Sequence, residues 1–215
     1  SSGVPYAKNA VSLGLNHRTK FSCGLNMTLS ATANFSNTQP FARSNAYTNF
    51  ASVVYTGERH RTTAYALGAL FNYGAFDFGL EFIDNDKSQV VKAINGQDAG
   101  QVMSVAGAYT FGVNKVALGY LHSERKLGKS FKYNGGITVV AADNPRAKAD
   151  VFSVTYDRKL APGLTAFADG TVYNMKTDAR WVAQANAVNV ANTSAPAGIG
   201  NNNGHVLIAG IKARF

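Results

Sequence analysis

From Leu25 to Phe35 the chain alternates without error. Leu25, Met27, Leu29, Ala31, Ala33 and Phe35 take one side, and Asn26, Thr28, Ser30, Thr32 and Asn34 take the other. Period two is the mark of a β-strand with one apolar and one polar face. Eleven such residues, at about 3.3 Å each and tilted by about 45°, rise roughly 25 Å. A strand in a soluble sandwich is usually shorter, whereas this rise matches the apolar band of a membrane-spanning barrel. The same alternation puts Val11, Leu13 and Leu15 opposite Ser12, Gly14, Asn16 and Arg18, and Tyr65, Leu67, Ala69, Phe71 and Tyr73 opposite Ala66, Gly68 and Asn72. Phe76, Phe78, Leu80 and Phe82 form a further apolar face, backed by Asp77, Gly79 and Glu81. Carboxylates there are costly in hydrocarbon, so they are expected to look into a wet interior.

Further strands are predicted over Val102 to Phe111, Lys115 to Ser123, Val151 to Lys159, Leu164 to Asn174 and Val206 to Phe215, about nine in all. In Leu164 to Asn174 the pattern conflicts with itself, because Phe167 and Tyr173 share a face with Asp169; Asp169 is placed inward. Tight turns are predicted at Lys20 to Gly24, Tyr73 to Ala75, Gly112 to Asn114 and Ala161-Pro162-Gly163. Between them lie long polar loops, Ser36 to Arg61, Asp84 to Gly100, Glu124 to Asp150 and Met175 to Gly204. Short turns on one side and long loops on the other are the pattern of a barrel assembled through one membrane face. Phe50 to Tyr55 has strand propensity but is assigned to a loop, since a full span there would break the alternation.

Composition narrows the choice. Only 15% of the 215 residues are charged, and no stretch approaches the roughly 18 consecutive apolar residues of a spanning helix. That excludes a helical membrane protein and leaves an all-β fold, soluble or membrane-embedded, in one domain over 1–215. Cys23 is alone and cannot form an intrachain disulfide. Ser1 to Pro5 has neither a basic start nor an apolar run, so either a leader has been removed or N-terminal sequence is missing.

At this point the sequence resembles the general porins of Gram-negative bacteria, the proteobacterial trimeric type with sixteen strands. Val116-Ala117-Leu118-Gly119-Tyr120-Leu121-His122-Ser123 resembles a late strand of that family. Tyr156-Asp157-Arg158-Lys159-Leu160-Ala161-Pro162-Gly163-Leu164-Thr165 resembles the following strand, turn and strand. The ending Gly204-His205-Val206-Leu207-Ile208-Ala209-Gly210-Ile211-Lys212-Ala213-Arg214-Phe215 resembles the closing strand. In the last, Leu207, Ala209, Ile211, Ala213 and Phe215 alternate toward a terminal aromatic. The resemblance implies that this face is the signal read by the barrel-insertion machinery.

The resemblance also implies an antiparallel transmembrane β-barrel in the bacterial outer membrane, a homotrimer, and passive diffusion of ions and small solutes without a cofactor. Nine strands cannot close an even-numbered antiparallel barrel, and an open edge in lipid would leave backbone groups unsatisfied. The chain is therefore expected to be the C-terminal part of a larger barrel. A sixteen-stranded one leaves seven strands elsewhere, which carry the family's constriction loop.

Inward-facing candidates for the pore lining are the cations Arg18, Lys20, Lys115, Lys159, Lys212 and Arg214 and the anions Asp77, Glu81, Asp157 and Asp169. Their excess is positive, as is the formal net charge of +9, so a mild preference for anions is expected. Arg59, His60, Arg61, Arg125, Lys126, Lys129, Lys132, Arg146 and Lys148 are assigned to extracellular loops, attracting anionic solutes or binding lipopolysaccharide phosphates. Tyr65, Tyr73, Tyr109, Tyr120 and Tyr156 suit the aromatic girdles at the membrane interfaces.

Other functions fit less well. His17, His60, His122 and His205 lie on different strands and loops in no spacing that marks a hydrolase, and they lack paired metal-ligand spacing beside a single Cys. No glycine-rich loop opens a helix to cradle phosphate, and neither an enzyme nor a metal site is expected. Nucleic acid would require cations and stacking aromatics on one face, whereas alternation separates them. The alternatives are a structural or adhesive barrel anchoring loops such as Ala183 to Asn203, separable by conductance, and a soluble lectin-like fold, separable by solubility without detergent.

Overall fold

The computed structural model describes residues 7–38, 60–90, 92, 96–128, 130–132, 138–140, 146–177 and 201–214. Their strands are β1 (Ala7–Lys20), β2 (Asn26–Thr38), β3 (Thr62–Tyr73), β4 (Phe76–Asp84), β5 (Gln101–Phe111), β6 (Asn114–Lys126), β7 (Ser130–Lys132), β8 (Thr138–Val140), β9 (Arg146–Ala161), β10 (Leu164–Thr177) and β11 (Asn201–Ala213). Nine of them form one antiparallel sheet in the order β1-β2-β3-β4-β5-β6-β9-β10-β11, so every neighbour in space is also the next long strand in sequence. This up-and-down order needs only local connections.

All nine predicted strands are present and most extend beyond their predicted bounds, although β2 begins one residue after Leu25 and β11 ends at Ala213, so that Arg214 lies outside it. β1 and β11 are the two edges of the sheet, and with an odd number of strands they run in the same direction. The segment Glu124 to Asp150 differs from the expected single loop. β6 continues through Lys126, β9 begins at Arg146, and β7 pairs with β8 as a separate hairpin. Phe50 to Tyr55 and most of Ala183 to Asn203 lie outside the described residues.

The four tight connections, β1–β2, β3–β4, β5–β6 and β9–β10, sit at one end of the sheet and the long ones at the other. Each turn depends on a glycine with positive φ: Gly24 at 87°, Gly74 and Gly112 at 58°, and Gly163 at 78°. At Gly163 the reason extends beyond the turn, since a Cβ would lie 2.6 Å from the Arg214 carbonyl oxygen, while the Arg214 N–H donates to the Gly163 carbonyl at 2.8 Å. The closing strand is thereby tied to the β9–β10 turn.

Register decides which side chains share a face. Cross-strand partners such as Ser30 and Gly68, Gly68 and Glu81, Glu81 and Ser104, and Ser104 and Leu121 form one continuous row of the polar face. Leu29, Ala69, Leu80, Val105 and Tyr120 form a row of the other. This apolar face is uncovered: Leu13, Leu15, Leu67, Met103, Leu118, Leu207 and Ile211 are each at least half exposed. No large side chain among the described residues is fully buried. An aqueous globule hides its apolar surface in a core, so this sheet requires an apolar surrounding.

Candidate pore wall and outer surface

Nine of the ten residues expected to face inward, all but Arg214, share the polar face of the sheet. The pairings Arg18 with Thr28, Lys20 with Asn26, Asp77 with Ala108, Lys115 with Asp157, Asp169 with Thr155, and Thr165 with both Lys159 and Lys212 all belong to the polar face. Arg214 follows β11 at the short-turn end. The pleat explains this grouping, since a residue at fixed parity cannot leave its face without a register shift.

Several of these charges touch. Lys115 Nζ donates to Asp77 Oδ2 at 2.7 Å, reaching across β5 where the partner of Asp77 is the small Ala108. Asn72 donates to the other oxygen, Oδ1, also at 2.7 Å. Lys212 Nζ lies 3.6 Å from Asp157 Oδ1 and 4.4 Å from the centre of the Phe167 ring. Near the short-turn end the polar face therefore carries Lys20, Lys115, Lys159 and Lys212 against Asp77 and Asp157. Arg18, Glu81 and Asp169 lie further along, with Ser104 at 3.5 Å from Glu81.

The conflict at β10 has a packing solution. Phe167 and Tyr173 do lie on the polar face, opposite Gly210 and Gly204 of β11. A Cβ on Gly210 would come 2.9 Å from the Phe167 ring, and one on Gly204 would come 2.5 Å from the Tyr173 hydroxyl. The rings thus lie across glycine backbone, where no side chain competes, and shield otherwise bare strand. The sequence signal was a pair of glycines six residues apart matching two aromatics six residues apart on the preceding strand.

The apolar face ends in two aromatic zones. Tyr73, Tyr109 and Tyr156 lie toward the short turns, with Phe76 and Tyr109 ring centres 4.6 Å apart. Toward the long connections lies Tyr65, with Phe35 edge-on to it at 6.0 Å, whereas Tyr120 stands at the middle of β6 beside Val105 rather than at an end of the face. All five tyrosines are exposed on this face. Leu207, Ala209, Ile211 and Ala213 line its edge on β11; Phe215 lies outside the described residues.

Four cations assigned to loops are instead on strands of the nine-stranded sheet: Arg125 and Lys126 end β6, and Arg146 and Lys148 begin β9. Arg125 is on the polar face, and the other three are on the apolar face beyond its hydrophobic part. Lys132 is in β7, His60 and Arg61 precede β3, and Arg59 and Lys129 are outside the described residues. Below this group His122 Nδ1 is 2.7 Å from Asp150 Oδ1, the oxygen that also accepts the Tyr120 hydroxyl at 2.7 Å. Sequence reasoning missed this cluster because His122 and Asp150 are 28 residues apart. It lacks the arrangement of a hydrolase: a phenol shares the carboxylate, in place of a serine hydroxyl on the imidazole. No group of three potential metal ligands occurs among the described residues.

The connection between β4 and β5 is held against its neighbours. Ser88 Oγ bonds both the N–H and the carbonyl of Thr63, at 2.9 and 2.8 Å. On the other side Asp98 accepts the Lys126 N–H at 2.7 Å. Gly100, at φ 94°, approaches β6 so closely that a Cβ would lie 2.7 Å from the Glu124 carbonyl oxygen.

A family model described as Gram-negative porin matches residues 5–179. No curated protein matches the chain.

Proposed function

Because the chain belongs to the family of Gram-negative porins, outer-membrane channels rather than enzymes, we propose that its polar face lines a water-filled passage for ions and small hydrophilic solutes with a mild preference for anions. The observation that carries this reading is the uncovered apolar face backed by a face on which Arg18, Lys20, Lys115, Lys159 and Lys212 outnumber Asp77, Glu81, Asp157 and Asp169. Water in the lumen solvates these charges, and their positive excess raises the local concentration of anions.

The sheet becomes part of a barrel closed by further strands. Since β1 and β11 run the same way, joining them directly would make a parallel pair. Antiparallel closure needs an odd number of additional strands, and the seven of a sixteen-stranded barrel satisfy that. In this reading the tight turns are periplasmic and the long connections extracellular. The outward row Leu207, Ala209, Ile211 and Ala213, with Phe215, serves recognition by the insertion machinery, and the assembled barrel forms trimers surrounded by lipopolysaccharide.

Planar-bilayer recording on the whole protein tests the proposal. Ohmic conductance with a reversal potential displaced toward the anion equilibrium potential supports it. Failure to conduct would leave a structural or adhesive barrel, and a strong cation preference would overturn the lumen assignment.

A further inference from the structure

We infer that Lys159, Phe167 and Lys212, near the short-turn end of the polar face, form a docking place for aromatic carboxylates, solutes that join an anionic group to a flat apolar ring. The inference rests on the reading of that face as the wall of a water-filled passage and names a solute class for it. Strands β2 to β6 and β9 turn their Phe and Tyr side chains outward, whereas β10 brings Phe167 and Tyr173 to the wet face. Tyr173 stands between Val151 and Gly204, away from any cation of that face. Phe167 lies across Gly210 with Lys212 Nζ 4.4 Å from its ring centre, where attraction to the ring holds the ammonium close to an apolar surface.

A second cation stands opposite the first. Lys159 and Lys212 both pair with Thr165, one from each side, so their backbones are two strand spacings, about 10 Å, apart. Only the small Thr165 side chain lies between them, and two flexible four-carbon stems can converge above it on one anion. Their charge is available. Lys115 is bonded to Asp77 at 2.7 Å, but Lys212 is 56% exposed and 3.6 Å from Asp157, itself 40% exposed, and Lys159 has no carboxylate partner among the described residues. An exposed pair at that distance gives way readily to a competing anion.

The neighbouring charges impose an orientation. Asp157 pairs directly with Phe167, and Asp169 follows two residues along β10, so an anion is repelled from the ring and drawn to the Thr165 side. With its carboxylate between the lysines, the body of the solute reaches Phe167 and Ile208, which is 53% exposed on the same face. A simple anion gains the lysines alone and a neutral ring gains the apolar contact alone; an aromatic carboxylate gains both.

Ligand-observed NMR titration of the whole protein in detergent, with empty micelles as the blank, tests this using benzoate, acetate and benzamide. Benzoate is expected to bind about three- to tenfold more tightly than acetate, the range that aromatic packing supplies, and more tightly than the uncharged benzamide. In Phe167→Leu the preference for benzoate over acetate should fall toward one while acetate binding is kept. In Lys159→Gln both anions should weaken while benzamide does not, and Lys159→Arg should restore them. Equal binding of benzoate and acetate, benzamide binding as tightly as benzoate, or a preference that survives in Phe167→Leu would each overturn the proposal. Binding is read without ion flow, so a protein that conducts but shows no preference loses this site alone, and one that does not conduct loses the channel reading.

Discussion

Replacing Val105 by lysine and, separately, Ala106 by lysine sets the two faces of the sheet against each other at one point of the chain. Val105 sits in the outward row of β5 between Leu80 and Tyr120, whereas Ala106 lies between Gly79 and Gly119 on the polar face. Along the outward row Val105 is four residues from Gln101 and four from Tyr109, about 9 Å along the membrane normal from either boundary. That is the middle of the apolar band, too deep for a lysine stem to bring its amine fully to water. Lysine at the bilayer midplane of a barrel costs about 2–4 kcal/mol, a loss of about 30-fold to several hundred-fold in the folding equilibrium. At Ala106 the glycine neighbours leave room and the amine enters water, so a change within about 0.5 kcal/mol is expected, as for an ordinary surface substitution. Denaturant titration of the whole protein in phospholipid vesicles, with the folded fraction read from mobility on unheated gels, measures both. Equal losses at the two positions, or a larger loss at Ala106, would refute the assignment of the faces.

Other consequences follow from particular contacts. Lys115→Glu should move the reversal potential toward cations, because it reverses one charge and sets a second carboxylate beside Asp77; an unchanged potential would place Lys115 outside the conducting path. Phe167→Ala should cost about 1–3 kcal/mol, below the 3–5 of a fully buried phenylalanine, since it bares Gly210 and removes the ring beneath Lys212; a denaturation midpoint equal to the parent's would deny the ring that role. Gly100→Ala places a Cβ against the Glu124 carbonyl at a positive φ, a strain of about 1–3 kcal/mol, and should speed proteolysis within residues 85–99 while leaving the strands protected. Cys23 is exposed in the β1–β2 turn, so a bulky maleimide should label it only after the outer membrane is permeabilised; labelling of intact cells would invert the proposed orientation.

Much of this architecture can be read from residue order because the constraint is local. A strand between water and an apolar surrounding must alternate, so the run from Leu25 to Phe35 reveals its own faces without knowledge of a partner. The contrast between Gly112-Val113 and the long segments that flank the hairpin shows which end carries the tight turns. Parity then groups Asp77, Lys115, Asp157 and Lys212 on one face before any contact is known.

Alternation does not specify distance along the sheet or what a side chain meets. The aromatic residues of β10 looked misplaced until register set Phe167 over Gly210 and Tyr173 over Gly204. Arg146 and Lys148 looked like loop charges until β9 proved long enough to carry them outward beyond the apolar band. His122 found Asp150, and Lys148 came to face Lys176, only through pairing between strands distant in the chain. The physical reason is the same in each case: face is a property of a single strand, legible in its own period of two, whereas neighbours across the sheet depend on register, which cooperative pairing over all nine strands establishes.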